Sequence, residues 1–150
     1  MWSPLFFPRW NNLIVLKGPA NFAGSLTEWS AVKLLIVDNH AAVRRVIRSV
    51  VAHMLLEIQE CPSAADAALM YRALLPDYAV MAFDLRGMGG IEITRTIRGS
   101  HPEAKIILVA DYDDRALREE ARTAGACGYL LKEDLFKLPG LLTNCKGKEK

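Results

Sequence analysis

The chain has 150 residues, of which 51% are hydrophobic and 24% are charged, and its formal net charge at pH 7 is +2. This is the composition of a soluble globular domain, and the small charge, without basic runs interleaved with aromatic residues, gives no indication of nucleic-acid binding. No apolar run approaches the roughly 20 residues that span a bilayer, and the N-terminus lacks the order of a signal peptide, so we predict a cytoplasmic protein with neither a nucleic-acid nor a membrane partner.

Residues 1–30 form the first predicted unit, an N-terminal extension. They contain all three tryptophans of the chain and show no sustained hydrophobic period, so we expect this extension to be poorly ordered. One interpretation is a partner-binding or membrane-surface segment. The other, which we favour, is an extension from an upstream start, with Val32 as an alternative initiation point.

Residues 31–142 form the second predicted unit, in which short apolar runs alternate with segments of helical spacing. The first apolar run ends abruptly at Asp38, which is typical of a strand buried on both faces. In chain order we predict strands at 32–37, 56–61, 78–83, 105–110 and 127–131. We predict helices at 43–54, at 63–75, around Ile93 and Ile97 up to Gly99, at 113–124 and at 133–142, followed by a charged tail, 143–150.

Two of these helices have recognisable end signals. Ser63 followed by Asp66 resembles a capping box at the start of the second helix. Gly125 follows the fourth helix and is the residue type that best tolerates the left-handed conformation of a C-terminal cap.

The cysteines give no indication of a stabilising framework. Cys61, Cys127 and Cys145 are odd in number and lack CxxC spacing, so we expect neither a disulfide framework nor a zinc site. A reducing cytosolic environment fits this usage best.

Strands that alternate with helices of this length predict an α/β domain, with a doubly wound parallel sheet of five strands and helices on both faces. In such domains ligands bind at the carboxyl ends of the strands. Several polar residues follow the predicted strands directly: Asp38-Asn39-His40, Asp84, Ala110-Asp111 and Lys132.

These strand ends predict a site for phosphoryl chemistry. Two carboxylates that lie close together need a cation, and Mg²⁺ prefers oxygen ligands. Lys132 is a point charge suited to a phosphoryl oxygen. The set therefore indicates transfer of a phosphoryl group to an aspartate, in preference to the alternative that Asp38 and Asp84 are merely polar strand ends or helix caps. A phosphate-cradling P-loop and a GxSxG nucleophile elbow are absent from the sequence, and the scattered His40, His53 and His101 are expected to be surface or capping residues.

The same residues resemble a known family. The segments KLLIVDNH (33–40), FDLR (83–86) with GIE (90–92), and GACGYLLK (125–132) are similar to the motifs of response-regulator receiver domains, most of all those that precede a helix-turn-helix output domain. The resemblance implies a flavodoxin-like sheet of strand order 2-1-3-4-5. It implies that Asp84 is the phosphoacceptor and that Lys132 binds the phosphoryl group. Asp38, Asp84 and the carbonyl of Arg86 would hold Mg²⁺, and Tyr129 would be the aromatic residue that responds to phosphorylation.

Three departures from the family pattern alter these expectations. Asn39 stands where the family usually has a second acidic residue, which predicts weakened Mg²⁺ binding. Ala110 stands where a serine or threonine hydroxyl normally contacts the phosphoryl group, which predicts weakened switching. The loop 87–90 is about two residues short by comparison with the family, which would move the Arg86 carbonyl away from the metal.

The resemblance implies a single receiver domain of a two-component phosphorelay, phosphorylated by a histidine kinase or phosphotransfer protein. Such a domain is a substrate of the kinase and not an enzyme. No room for a DNA-binding domain follows the last helix, so we expect signalling by protein contact through the face of the fourth helix, fifth strand and fifth helix. This face includes Arg115, Arg118, Glu119, Arg122 and Tyr129.

Two other functions are alternatives to this one. One is a pseudo-receiver, which would act as a phosphorylation-independent protein-interaction module on the same fold. The other is an enzyme of the haloacid-dehalogenase type, which also uses an aspartate nucleophile. That class needs DxD at the end of the first strand, and Asp38-Asn39-His40 does not supply it.

Overall fold

The computed structural model describes residues 16–17, 30–85 and 88–145. Five parallel strands form one sheet of order β2-β1-β3-β4-β5. The strands are β1 (Lys33–Val37), β2 (Glu57–Cys61), β3 (Tyr78–Ala82), β4 (Ile106–Ala110) and β5 (Gly128–Leu131). The predicted fold class and strand order are confirmed.

Helices cover both faces of this sheet. They are α1 (Ala41–Val50), α2 (Ala64–Leu74), α3 (Gly90–Ser100), α4 (Arg115–Ala124) and α5 (Leu138–Cys145). Two 3-10 segments, Ala52–Met54 and Lys132–Lys137, follow α1 and precede α5. Within the described ranges, no helix is both long and apolar enough to cross a membrane.

The sheet separates two hydrophobic cores because its side chains alternate between faces. On one face, Tyr71 of α2, Ile97 of α3 and Ala121 of α4 pack in the same buried cluster. On the other face, Ile47 of α1 packs in a cluster with Leu138 of α5. The central strands β3 and β4 are buried along their whole lengths, which explains their uninterrupted apolar sequence.

The helix ends mostly follow the sequence signals. The Ser63 hydroxyl oxygen accepts a hydrogen bond of 3.1 Å from the backbone N–H of Ala65, and Asp66 lies in the first turn of α2, where its charge favours the positive end of the helix. Gly125 has a φ of 103° and caps α4 as predicted. The C-cap of α2 is Leu75, with a φ of 47°, a conformation that a bulky residue rarely adopts.

Two features differ from the sequence-based expectation. Cys127 and Cys145 form a disulfide with a Cα–Cα distance of 6.1 Å, so the prediction of no disulfide is wrong. The last predicted helix, 133–142, is instead the 3-10 segment followed by α5, which extends to Cys145. This extension brings a cysteine from a remote position in the sequence to the start of β5, a contact that residue counting could not detect.

The predicted N-terminal extension and C-terminal tail lie largely outside the described residues. Of residues 1–30 the structure describes only Leu16–Lys17 and Ser30, and these form an antiparallel pair in which Leu16 lies opposite Ala31. Residues 146–150 of the tail are likewise outside the described part of the chain.

Candidate functional site

A cavity of about 300 Å³ lies at the carboxyl edge of the sheet. The parallel register sets this edge, because Ala82 of β3 lies opposite Val109 of β4, and Ala110 lies opposite Leu131 of β5. Residues that follow these strands therefore surround the same space. The lining residues are Ala82, Phe83, Asp84, Gly89, Val109, Ala110, Asp111, Tyr112, Leu117 and Lys132.

Asp84 presents an exposed carboxylate on the wall of this cavity. It begins a two-residue strand that pairs antiparallel with Met88–Gly89, so that Asp84 lies opposite Gly89. The turn is closed on β3 by a hydrogen bond of 2.8 Å from the backbone N–H of Gly90 to the carbonyl of Phe83. Backbone pairing on both sides thus fixes the position of Asp84 while leaving its side chain accessible.

Lys132 reaches the same cavity from the end of β5. Its Nζ lies 3.1 Å from Oδ1 of Asp111, and both side chains are partly exposed. An exposed pair of this kind contributes little to stability, so the ammonium group can exchange Asp111 for a stronger anionic partner. The predicted meeting of Asp84 and Lys132 at one sheet edge agrees with this geometry.

Ala110 also lines the cavity, where it presents only a methyl group. This is the place at which the sequence resemblance leads us to expect a hydroxyl. Asp111, which directly follows β4, also lines the cavity, and its carboxylate is engaged with Lys132.

Asp38 follows β1 at the same edge of the sheet but is not among the described residues that line the cavity, and it is only 1% exposed. Its Oδ1 accepts a hydrogen bond of 2.8 Å from the backbone N–H of His40, and the ring Nδ1 of the exposed His40 lies 3.2 Å from the same oxygen. Its Oδ2 is buried and has no hydrogen-bond partner among the described residues. A buried carboxylate oxygen without a partner is unfavourable unless a cation or water satisfies it.

Asn39 supplies a second unsatisfied oxygen, since its Oδ1 is also buried and unpartnered within the described residues. Carboxylate and amide oxygens are suitable ligands for Mg²⁺. The described part of the chain contains no group of three or more acidic, histidine or cysteine side chains arranged around a metal position. The unpartnered oxygens of Asp38 and Asn39 are of the type that could hold a magnesium ion. Of the other two predicted ligands, Asp84 lines the cavity, and the Arg86 carbonyl lies outside the described residues.

Tyr129 connects the cavity region to α4. Its hydroxyl donates a hydrogen bond of 2.8 Å to the carbonyl of Tyr112, and its ring meets Phe83 edge-on at a centroid distance of 6.1 Å. The guanidinium of Arg118 lies 4.6 Å from the ring centroid. Partial burial raises the pKa of the Tyr129 hydroxyl above its ordinary value, so it remains a hydrogen-bond donor throughout the physiological range. This hydrogen bond links Tyr129 to the loop that follows β4.

A charged cluster beside Asp38 was not recognised from the sequence. The Nε atom of Arg44 donates a hydrogen bond of 2.7 Å to Glu60, and its Nη1 donates another of 2.7 Å to the backbone carbonyl of Asp38. Arg48 also pairs with Glu60. The amphipathic pattern placed both arginines on the polar side of α1, but their common partner lies on β2, a relation that only the tertiary structure determines.

Replacing Glu60 with Gln is expected to reduce stability at neutral pH by about 0.5–1 kcal/mol. Hydrogen bonds from Arg48 and then Arg44 lower the pKa of the Glu60 carboxyl below its ordinary value. The stabilisation is therefore fully present above the unfolded-state pKa and is lost as pH falls through the lower folded-state pKa. Urea unfolding between pH 7 and pH 3 measures this difference.

Glu57→Gln is the matched control, because Glu57 lies on the same strand with an exposed side chain. We expect it to change the unfolding free energy by less than about 0.5 kcal/mol at every pH. An equal loss in the two variants, or a Glu60→Gln effect that is independent of pH, would contradict the assignment of the cluster.

Comparison with known proteins gives a consistent result. The family model of the response regulator receiver domain matches residues 34–141. The transcriptional activator protein ExaE of Pseudomonas putida is 32% identical over 101 residues, covering 66% of this chain and 47% of that protein. The response regulator GacA of Pseudomonas syringae is 32% identical over 103 residues, covering 67% and 48%. The chain thus spans about half the length of these curated relatives.

Solved structures agree on the fold. The signal receiver domain of the putative response regulator NarL from Mycobacterium tuberculosis superposes with a TM-score of 0.67 at 24% identity, covering 78% of this chain and 98% of that one. At that identity the likeness extends to the fold alone.

Proposed function

Because the chain belongs to the response regulator receiver domain family, we propose that it is a cytoplasmic receiver that accepts a phosphoryl group on Asp84 and signals by protein contact. Receiver domains interact with histidine kinases or phosphotransfer proteins, and one of these would be the donor. The observation that carries the proposal is the shared cavity of Asp84 and Lys132. It places a nucleophilic carboxylate and a cation at one solvent-accessible edge.

In the proposed reaction a carboxylate oxygen of Asp84 attacks the phosphorus of the donor in line with the departing group. The new bond between the carboxylate oxygen and phosphorus makes an acyl phosphate on Asp84. The bond between phosphorus and the donor breaks, and its electron pair stays with the donor. Lys132 leaves Asp111 and neutralises charge on the phosphoryl oxygens. The chain is phosphorylated stoichiometrically in this reaction, so we propose a kinase substrate and not an enzyme.

Asp38 and Asn39 are the residues that would hold Mg²⁺. When bound, the ion would supply positive charge to the phosphoryl oxygens. Because Asn39 contributes a neutral amide oxygen in place of a carboxylate, the site has one negative charge fewer, and we propose that it binds Mg²⁺ weakly. The hydrogen bond from Arg44 to the Asp38 carbonyl would keep this strand end in position.

For the output, we propose the face formed by α4, β5 and α5. Tyr129, on β5, contacts Phe83, next to the phosphoacceptor, and Arg118, on the surface of α4. Movement of the loop after β4 would therefore change the position of Tyr129 and with it the surface offered to a protein partner.

A second candidate function is the pseudo-receiver, and one observation favours it. Ala110 places a methyl group on the cavity wall, where no hydroxyl can bond a phosphoryl oxygen and draw the following loop inward. A domain without this contact would keep one conformation whether or not it is phosphorylated, and its partner would bind constitutively.

One experiment separates the two candidates. The protein is incubated with Mg²⁺ and acetyl phosphate and its intact mass is measured, beside Asp84→Asn and a well-behaved receiver as positive control. We expect a gain of one phosphoryl group that requires Mg²⁺ and disappears in Asp84→Asn. No gain under conditions that label the positive control would refute the receiver reaction and leave the pseudo-receiver.

A further inference from the structure

A second, larger cavity lies at the opposite edge of the sheet, near the amino ends of β4 and β5. Its volume is about 780 Å³. It is bounded by the end of α3, the segment before β4, the end of α4 and the Cys127–Cys145 disulfide. None of the residues proposed for phosphoryl transfer lines it, so it is independent of the phosphoacceptor site.

The charge of this cavity is mainly positive. Arg98, Lys105 and Arg122 line it, and Glu103 is the only acidic residue among the described residues that line it. Arg122 is already paired with Glu119, and the Arg98 guanidinium donates to the carbonyl of Ala104. Lys105 forms no ion pair with the described part of the chain. An anionic molecule is therefore attracted to the cavity, with Lys105 as the least engaged cation.

The two cysteines of the disulfide differ in exposure. Cys127 is half-buried, whereas Cys145 is only 3% exposed. The remaining cysteine, Cys61, is fully buried, and burial raises the pKa of its thiol, so it is not a competing nucleophile. A reagent in the cavity can thus approach the sulfur of Cys127, with Cys145 as the leaving group.

We propose that the Cys127–Cys145 pair is a reversible thiol–disulfide exchange site, at which the basic cavity admits a small anionic thiol of the glutathione class. Disulfides in cytosolic proteins are usually transient or redox-sensing, and this one lines a cavity that also contains three cationic side chains. It joins the start of β5 to the end of α5, so its state would control how firmly the last helical turn is attached to the sheet.

Complete reduction of the disulfide consumes two molecules of the small thiol. The first thiolate attacks Sγ of Cys127, the bond to Cys145 breaks, and Cys145 leaves as a thiolate that takes a proton from water. The second thiolate attacks the sulfur that the first small thiol contributed to the mixed disulfide, and Cys127 is released as a thiolate. The two protein cysteines gain two electrons, and the two small thiols are oxidised to their own disulfide.

The test uses the full chain after oxidation with glutathione disulfide. Free thiols are alkylated in denaturant and counted by intact mass. The rate at which the disulfide is reduced is then measured with glutathione and with the neutral thiol 2-mercaptoethanol, at the same thiolate concentration. We expect one alkylated thiol before reduction and three after it. In Lys105→Gln/Arg122→Gln we expect reduction by glutathione to slow about tenfold, with the rate for 2-mercaptoethanol unchanged.

Two controls keep the result interpretable. Asp84→Asn should reduce at the wild-type rate, which separates this proposal from phosphorylation. In Cys145→Ser, hydrogen exchange of residues 142–145 should become faster than in the oxidised wild type. Three free thiols in the oxidised protein, reduction only in denaturant, or equal glutathione rates in the wild type and the double variant would each overturn the proposal.

Discussion

Replacing Lys132 with Met is expected to slow phosphoryl incorporation from acetyl phosphate by about 10²-fold, the usual effect of removing one group that stabilises transition-state charge. The reason is geometric, because Lys132 is the only cationic side chain among the described residues that line the cavity with Asp84. Loss of its ion pair with the partly exposed Asp111 should change the free energy of unfolding by less than about 1 kcal/mol. Initial rates of mass gain measure the first quantity, and urea unfolding measures the second.

Lys137→Met is the matched control for this prediction. Lys137 belongs to the same 3-10 segment and has a carboxylate partner, Asp134, at 3.8 Å, but it does not line the cavity. We expect it to be phosphorylated at the wild-type rate. The role proposed for Lys132 would be wrong if phosphoryl incorporation slowed equally in the two variants, or if Lys132→Met were phosphorylated at the wild-type rate.

Gly90→Ala is expected to destabilise the fold by about 2–3 kcal/mol, as is typical of overpacking in a well-packed interior. A Cβ atom on Gly90 would lie 3.1 Å from Cδ2 of Leu108 and far inside contact distance of the Ala82 carbonyl oxygen. The second contact is with backbone, so α3 would have to move away from β3. Because this turn also positions Asp84, phosphoryl incorporation should fall together with stability.

Gly99→Ala in the same helix supplies the control. No heavy atom lies within 4 Å of a Cβ built there, and alanine is favoured over glycine in a helix by up to about 1 kcal/mol. We therefore expect a small gain in the free energy of unfolding, measured by urea denaturation. A similar loss of unfolding free energy in both variants would show that the contact with Ala82 does not cause the destabilisation of Gly90→Ala.

The architecture could be predicted from the sequence because it depends on local patterns. The continuous apolar run before Asp38 is a strand buried on both faces, and the left-handed Gly125 ends α4 where the sequence indicated. Once the strands were known to be parallel, their carboxyl ends had to meet. That single rule predicted that Asp84 and Lys132 lie at one site, without any knowledge of side-chain positions.

The details that escaped prediction all depend on tertiary contacts. Cys127 and Cys145 are separated by 18 residues, and only the path of α5 brings their sulfur atoms together. Glu60 holds Arg44 across the sheet edge because β2 lies beside β1.

The most direct test of the central claim is to locate the phosphoryl group chemically. The protein is phosphorylated with acetyl phosphate and Mg²⁺ and then reduced with borohydride, which converts an acyl phosphate on aspartate into homoserine. The digested protein is sequenced by tandem mass spectrometry. We predict homoserine at position 84 and nowhere else, and none in Asp84→Asn. Homoserine at another aspartate, or phosphate retained on a histidine or serine with residue 84 unchanged, would contradict the assignment of Asp84 as the phosphoacceptor.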